Sequence, residues 1–265
     1  KGEELGLSHS AINTIKINNG LLYIGTHNGL YRYIIRTKKW QPMGLKNRFI
    51  NTIHIHNNAI DVGTQTGFFT SNDDGKTWER FNAGLENKEI AAMLFTQNNN
   101  IYVATKASGI FKSVNQGKYW QAVNNGLTIA PITSLISYNN DVYVGLNGGG
   151  IFIGKNDGQD WSVNNQGLTN LNVSKLIASD NVIYASAYSN FMQTVGVFKS
   201  TNAGIQWNLA NTGLEDKHVF SFAANKDVIY AGTQYGVFST MSAGKSWQPL
   251  GLENDTASLV AVDKF

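Results

Sequence analysis

The 265-residue chain contains no cysteine and only 3 prolines. Without thiols it can build neither disulfides nor thiolate metal sites, a composition that suits a reducing cytosol or an exported bacterial protein. No run of 18 apolar residues occurs, which excludes a membrane-spanning helix. No segment places apolar residues at i, i+3, i+4 and i+7 over three turns, so helix is not expected. Arginine is sparse: Arg32, Arg36, Arg48 and Arg80 are the whole set, all in the first third. The short basic turn from Arg36 to Lys39 is too isolated to indicate nucleic-acid binding. No Walker-type loop appears, and Gly148-Gly149-Gly150 reads as part of a hairpin. No signal or targeting motif is visible at Lys1, and the start reads as that of a mature or excised piece of a longer chain. The expected setting is extracellular or periplasmic, as a monomer or part of a larger chain.

What the chain has is glycine, 27 residues of it, with 42% hydrophobic and 11% aromatic residues: a folded chain with many tight turns. The net charge is +3, with 14 Lys and Arg against 8 Asp and Glu over residues 1–120 and 7 against 10 thereafter. That asymmetry either steers an acidic partner or reflects only uneven solvated turns.

The six tryptophans, Trp40, Trp78, Trp120, Trp161, Trp207 and Trp247, are spaced by 38, 42, 41, 46 and 40 residues, close to the length of a four-stranded propeller blade. Aligned on them, each unit opens with a short apolar run rich in β-branched residues. It then crosses an Asn- or Asp-containing turn and continues as a strand of the Ile-Tyr-Val-Gly type. A Gly-containing loop leads to a third strand, and a tight turn enters a fourth that carries the tryptophan. Near the start of each unit stands a mostly small residue, Thr14, Thr52, Ala92, Ser134 or Ser221, with Lys175 the exception.

The pattern predicts an all-β fold: one β-propeller over 1–265, with four-stranded antiparallel blades near 12–45, 50–85, 90–127, 132–168, 173–214 and 219–252. Residues 1–11 and 253–265 are expected to take part in ring closure. Glu3 to Leu7 resembles an outermost strand and Ser258 to Val262 an innermost one, so seven blades is the alternative.

The stretch Ser71-Asn72-Asp73-Asp74-Gly75-Lys76-Thr77-Trp78 reads as a turn lock. Asp73 accepts N–H groups of its own turn, Gly75 supplies positive φ, and Trp78 pins the hairpin. It recurs as Asn115-Gly117-Trp120, Asn156-Gly158-Trp161, Asn202-Gly204-Trp207 and Ser242-Gly244-Trp247. This pattern resembles the Asp-box, or BNR repeat, of sialidase-like propellers, sortilin-type receptors and photosystem II assembly factor-like proteins. The resemblance covers nearly the whole chain. It implies that these turns are structural and lie away from the ligand-binding centre. The first unit departs from it and looks more like the repeats of two-component regulator sensor propellers.

On an up-and-down blade, the loops joining second to third strands share a face with the blade-to-blade connections, and function is expected there. The candidate binding residues are His27, Gln65, Gln234 and Tyr235, with Tyr188, Phe191, Met192 and Gln193 on a long fifth-unit insertion that either grasps a partner or caps the propeller. The arginine set does not meet a sialidase's need for an arginine triad and an Arg-Ile-Pro motif, features implied by the resemblance. A glycosidase with paired carboxylates would draw on Glu86, Glu89, Glu215, Asp216, Glu253 and Asp255, each in a polar turn. His54 and His56 share a strand face but have no evident third ligand, so packing or channel lining is expected and no metal or cofactor is assigned. The expected function is a non-catalytic scaffold recognising a protein or glycan partner, with no nucleic acid and no membrane insertion. The alternatives are a glycoside hydrolase and a sensor domain of a larger signalling protein.

Overall fold

A computed structural model describes residues 11–34, 36–56, 59–86, 88–128, 130–155, 157–188, 196–214, 218–241, 245–252 and 255–262. The fold is an all-β propeller with six blades, each a four-stranded antiparallel sheet whose strands follow chain order. Among the described residues no helix is long and apolar enough to cross a membrane.

The blades fall into two compact units, the second beginning at Val123. The first unit holds β1 (Ile12–Asn18), β2 (Leu21–Thr26), β3 (Gly29–Ile34), β4 (Lys39–Pro42), β5 (Ile50–His56), β6 (Ala59–Thr64), β7 (Gly67–Ser71), β8 (Glu79–Arg80), β9 (Ile90–Phe95), β10 (Ile101–Thr105), β11 (Gly109–Ser113) and β12 (Gln121–Ala122). The second holds β13 (Ile132–Tyr138), β14 (Asp141–Leu146), β15 (Gly150–Lys155), β16 (Asp160–Val163), β17 (Val173–Ser179), β18 (Val182–Ala187), β19 (Gly196–Ser200), β20 (Asn208–Leu209), β21 (Val219–Asn225), β22 (Val228–Thr233), β23 (Gly236–Met241) and β24 (Gln248–Gly251).

Within each unit neighbouring blades meet face to face, and the second strand's glycine explains how closely. A Cβ at Gly63 would lie 2.5 Å from Ile90 Cγ2, one at Gly25 2.7 Å from Ile50 Cγ2, and one at Gly145 2.7 Å from Val173 Cγ1. The first residue of each following blade thus fills the space a side chain would take. Buried clusters form between the sheets: Tyr23, Leu30, Ile53 and Phe69 between the first two blades, and Tyr184, Val197, Ile229 and Trp247 between the last two.

The tryptophans tie blade to blade. The indole N–H of Trp78 donates to Met43 O (2.8 Å), Trp120 to Phe81 O (3.0 Å), Trp161 to Val123 O (2.7 Å), Trp207 to Asn164 O (2.9 Å) and Trp247 to Ala210 O (2.8 Å). The fourth strand contains the tryptophan only in β4 and β16; elsewhere it begins one residue later. The backbone N–H of Trp120 donates to Ala83 O of the blade link, and those of Trp161, Trp207 and Trp247 donate likewise to Asn125, Gln166 and Thr212 O.

Ser258 to Val262, read from sequence as an innermost strand, forms no ladder. Ala257 N–H donates to Thr233 O, and a Cβ at Gly232 would meet Ala257 O and Val260 Cγ2. This segment therefore covers the β22 glycine much as a following blade covers Gly25, Gly63 and Gly145. The strand-like Glu3 to Leu7 lies outside the described residues.

Candidate functional site

Each second-to-third strand loop begins from a buried threonine in four blades. Thr26 Oγ1 donates to Gly29 O (3.0 Å) and accepts Asn28 N–H (3.0 Å). Thr64 does the same with Gly67 O and Thr66 N–H, and Thr233 with Gly236 O and Tyr235 N–H. In the third blade Thr105 bonds Gly109 O and Ser108 N–H. The Thr-x-x-Gly spacing of the first, second and sixth blades was present in the sequence, with one residue more in the third, and these bonds tie down the loop tips.

In the first unit the tips of blades one and two meet at the link between them. The His27 ring stacks on Phe49 at 4.5 Å between centroids, and Phe49 keeps 45% of its surface exposed. Gln65 clamps the Phe49 backbone: its Oε1 accepts the Phe49 N–H (2.6 Å), and its backbone N–H donates to Phe49 O (3.3 Å). Arg48 donates to Thr66 Oγ1 (2.7 Å) with its guanidinium 4.8 Å over the Phe69 ring, and Asn28 Oδ1 accepts the Asn47 N–H (2.9 Å). The result is an exposed aromatic platform held by backbone and side-chain hydrogen bonds, rimmed by a cation and amides. Such a surface offers a flat apolar face and fixed polar groups to a ligand.

The structure thus brings two sequence candidates, His27 and Gln65, together around Phe49. Sequence reasoning passed over Phe49 and Arg48 because they precede the apolar run of β5 and look like link residues. The usable signal was an aromatic at a link position where the other blades carry Ala11, Glu89, Pro131, Asn172 and His218.

Tyr188, Gln234 and Tyr235 belong to the second unit. Tyr188 is half-buried, its N–H donating to Asn172 O (3.1 Å). Tyr235 is 55% exposed, and Gln234 O accepts the Thr256 hydroxyl (3.3 Å). Phe191, Met192 and Gln193 lie outside the described residues, as do Asn156, Ser242, Gly244, Glu215, Asp216 and Glu253.

Of the candidate carboxylates, Glu86 and Asp255 are exposed, and Glu89 forms an ion pair with Lys106 (2.5 Å). His54 stacks on Phe95 at 3.7 Å, and burial, with Lys16 and His56 adding repulsion, pushes its pKa down to about 3. His56 Nε2 contacts Asp61 Oδ2 at 2.7 Å. Burial raises the Asp61 carboxyl, opposed by hydrogen bonds from Thr70 and His56. Among the described residues no group of three or more His, Asp or Glu is placed to hold a metal.

The turns ahead of the tryptophans form a different kind of centre. Ser71 Oγ donates to Asp73 Oδ1 (2.8 Å) and accepts Gly75 N–H (2.9 Å). Asp73 also accepts the N–H groups of Lys76 (3.1 Å) and Thr77 (2.9 Å) and the Thr77 hydroxyl (2.6 Å). The Thr77 bonds, with that from Ser71, hold its pKa down to about 2. Ser113 with Asn115, and Ser200 with Asn202, repeat the arrangement, with Gly117 and Gly204 N–H groups on the serine oxygens. In the fourth blade Gly154 replaces the serine, and the Trp161 ring lies where its side chain would be. Both carboxylate oxygens of Asp73 accept hydrogen bonds from its own turn.

Compared with known proteins, the chain matches no family model and no curated sequence. Solved structures do match. A YCF48 structure described as bound to D1 peptide aligns with TM-score 0.70 at 13% identity, over 91% of this chain and 80% of that one. The GH74 xyloglucanase from Xanthomonas campestris aligns with TM-score 0.72 at 16% identity, over 91% of this chain. The chain spans 45% of that enzyme's length. The computationally designed Ika8 protein aligns with TM-score 0.66 at 16% identity, over 96% of this chain and 78% of that one. These likenesses establish the propeller fold, shared by a peptide-bound protein and by glycoside hydrolases.

Proposed function

We propose that the chain is a non-catalytic binding scaffold that recognises a protein or glycan partner through the loops joining second to third strands and blade to blade. The observation that carries this reading is the Phe49 platform. An aromatic ring nearly half exposed, stacked by His27 and clamped at its backbone by Gln65, is already ordered before any partner arrives, so little entropy opposes binding. The YCF48 likeness supports a peptide-like partner by analogy of fold alone. The glycosidase alternative has less behind it: Lys106 already engages the Glu89 carboxylate. We also assign the serine-keyed turns before Trp78, Trp120 and Trp207 to the Asp-box type, as structural locks.

A glycan array and a peptide library probed with wild-type protein and with Phe49→Ala test the reading. The expected result is a ligand set retained by the wild type and lost by the variant, with both proteins melting within a few degrees of each other. Turnover on a glycoside panel, abolished by Glu86→Gln or Glu89→Gln, would replace the scaffold reading with the enzymatic one.

A further inference from the structure

We propose that the Phe49 platform takes an acidic peptide segment, one that lays an apolar side chain on the ring and sets carboxylates beside it. This rests on the scaffold reading above and names the partner of that same site. The inference comes from the orientation of two amides. The backbone N–H of Phe49 can only donate, so the Gln65 atom that faces it at 2.6 Å is the oxygen, Oε1. The backbone N–H of Asn47 fixes Asn28 in the same way, with Oδ1 at 2.9 Å. Each amide thus commits its acceptor to the link and keeps an NH2 group that has no acceptor among the described residues.

Arg48 stands between the two clamped residues and adds a third set of donors. Its guanidinium is held 4.8 Å over the Phe69 ring and donates to Thr66 Oγ1 at 2.7 Å; among the described residues no carboxylate pairs with it. Lys46, exposed on the same link, is a second cation. The link from Gly44 to Phe49 holds no acidic residue, and neither do the tips His27-Asn28 and Gln65-Thr66 that grip it.

A rim of donors selects its ligand by chemistry. Ionised carboxylates only accept, and with a guanidinium they form charge-assisted hydrogen bonds. The hydroxyls of a neutral sugar each bring a proton that needs an acceptor, and the oxygens of both clamping amides are already taken. The Phe49 ring, 45% exposed and stacked on His27, supplies the flat apolar face that a hydrophobic side chain covers. Charge complementarity therefore favours an acidic peptide over a glycan.

The test titrates the 15N-labelled chain, followed by NMR, with acetylated and amidated peptides Gly-Xaa-Phe-Xaa-Gly in which Xaa is Glu, Gln or Lys. The Glu peptide is expected to bind about tenfold or more tightly than the Gln peptide, the Lys peptide most weakly, and the Glu advantage should shrink as salt is raised. Gln65→Glu is the decisive variant. It keeps an oxygen for the Phe49 N–H, so the platform stays clamped and melting should move by only a few degrees, but it replaces the NH2 donor by a carboxylate oxygen. The Glu peptide should then bind about tenfold more weakly, with the Gln peptide little changed. No binding by the Glu peptide, equal binding of the Glu and Gln peptides, or a Glu-peptide affinity unchanged in Gln65→Glu overturns the acidic partner. If the Gln peptide or a neutral glycan binds instead and is lost in Phe49→Ala, the acidic partner falls and the platform reading stands; Glu-peptide binding that survives Phe49→Ala overturns both.

Discussion

At the scale of single residues, the turn serines matter more than their size suggests. Ser71 is 1% exposed and is the acceptor for the buried Gly75 N–H. Ser71→Ala strands that donor, so it should cost about 1–3 kcal/mol in urea unfolding. Asp73 works by a different route. Its folded pKa of about 2 lies below the unfolded value of 3.8, so its contribution is present above pH 4 and is lost as the pH falls toward 2. Asp73→Asn should flatten the stability profile over that acid window, measured by urea midpoints at successive pH values. His54 has the same sign in a higher window. It is neutral in the folded state down to about pH 3, whereas the unfolded residue protonates near 6.5. Each pH unit below 6.5 therefore removes up to about 1.4 kcal/mol. His54→Leu, which copies Leu94 of the next blade, should lose less stability than the wild type between pH 7 and 5. Lys16, His56 and Asp61 surround this ring, and a double variant with His56→Asn separates their part.

At the scale of strands and blades, the repeated indole contact sets the order of importance. Trp120 is 1% exposed, packs edge-on against Phe68, and donates to the preceding blade. Trp120→Ala should cost about 3–5 kcal/mol. Trp40 is only half-buried and packs at an angle on Tyr33 of its own blade, so Trp40→Ala should cost clearly less, in the same thermal melt. The difference follows from Trp40's turn as well. The first blade has no glycine there, and Lys38 takes the positive φ of 53° instead. This departure was legible in the sequence as a missing glycine; its consequence for tryptophan burial was not. Second-strand glycines make the complementary case. Gly63→Ala drives a methyl into Ile90 and should destabilise by about 1–3 kcal/mol, although its φ is ordinary. Nothing in the motif Val-Gly-Thr announces that the neighbour is a residue 27 positions later.

At the scale of the whole molecule, the propeller positions loop tips far apart in sequence, and binding is expected there rather than at the turn locks. Phe49→Ala should abolish partner binding with little change in melting, while Ser71→Ala should lower melting and leave affinity intact; calorimetry of both variants against one ligand checks the pair. Blade number, strand count and the locking turns were legible from six tryptophans and a period near forty, because a repeat that cannot hide its faces alone must stack on copies of itself. His27 and Gln65 were legible as loop residues for the same reason. Their meeting at Phe49 and the capture of Glu89 by Lys106 were decided only in three dimensions. Periodicity reports which residues share a role within a blade, but contacts between blades depend on side-chain reach and on which neighbour fills the space beside each glycine.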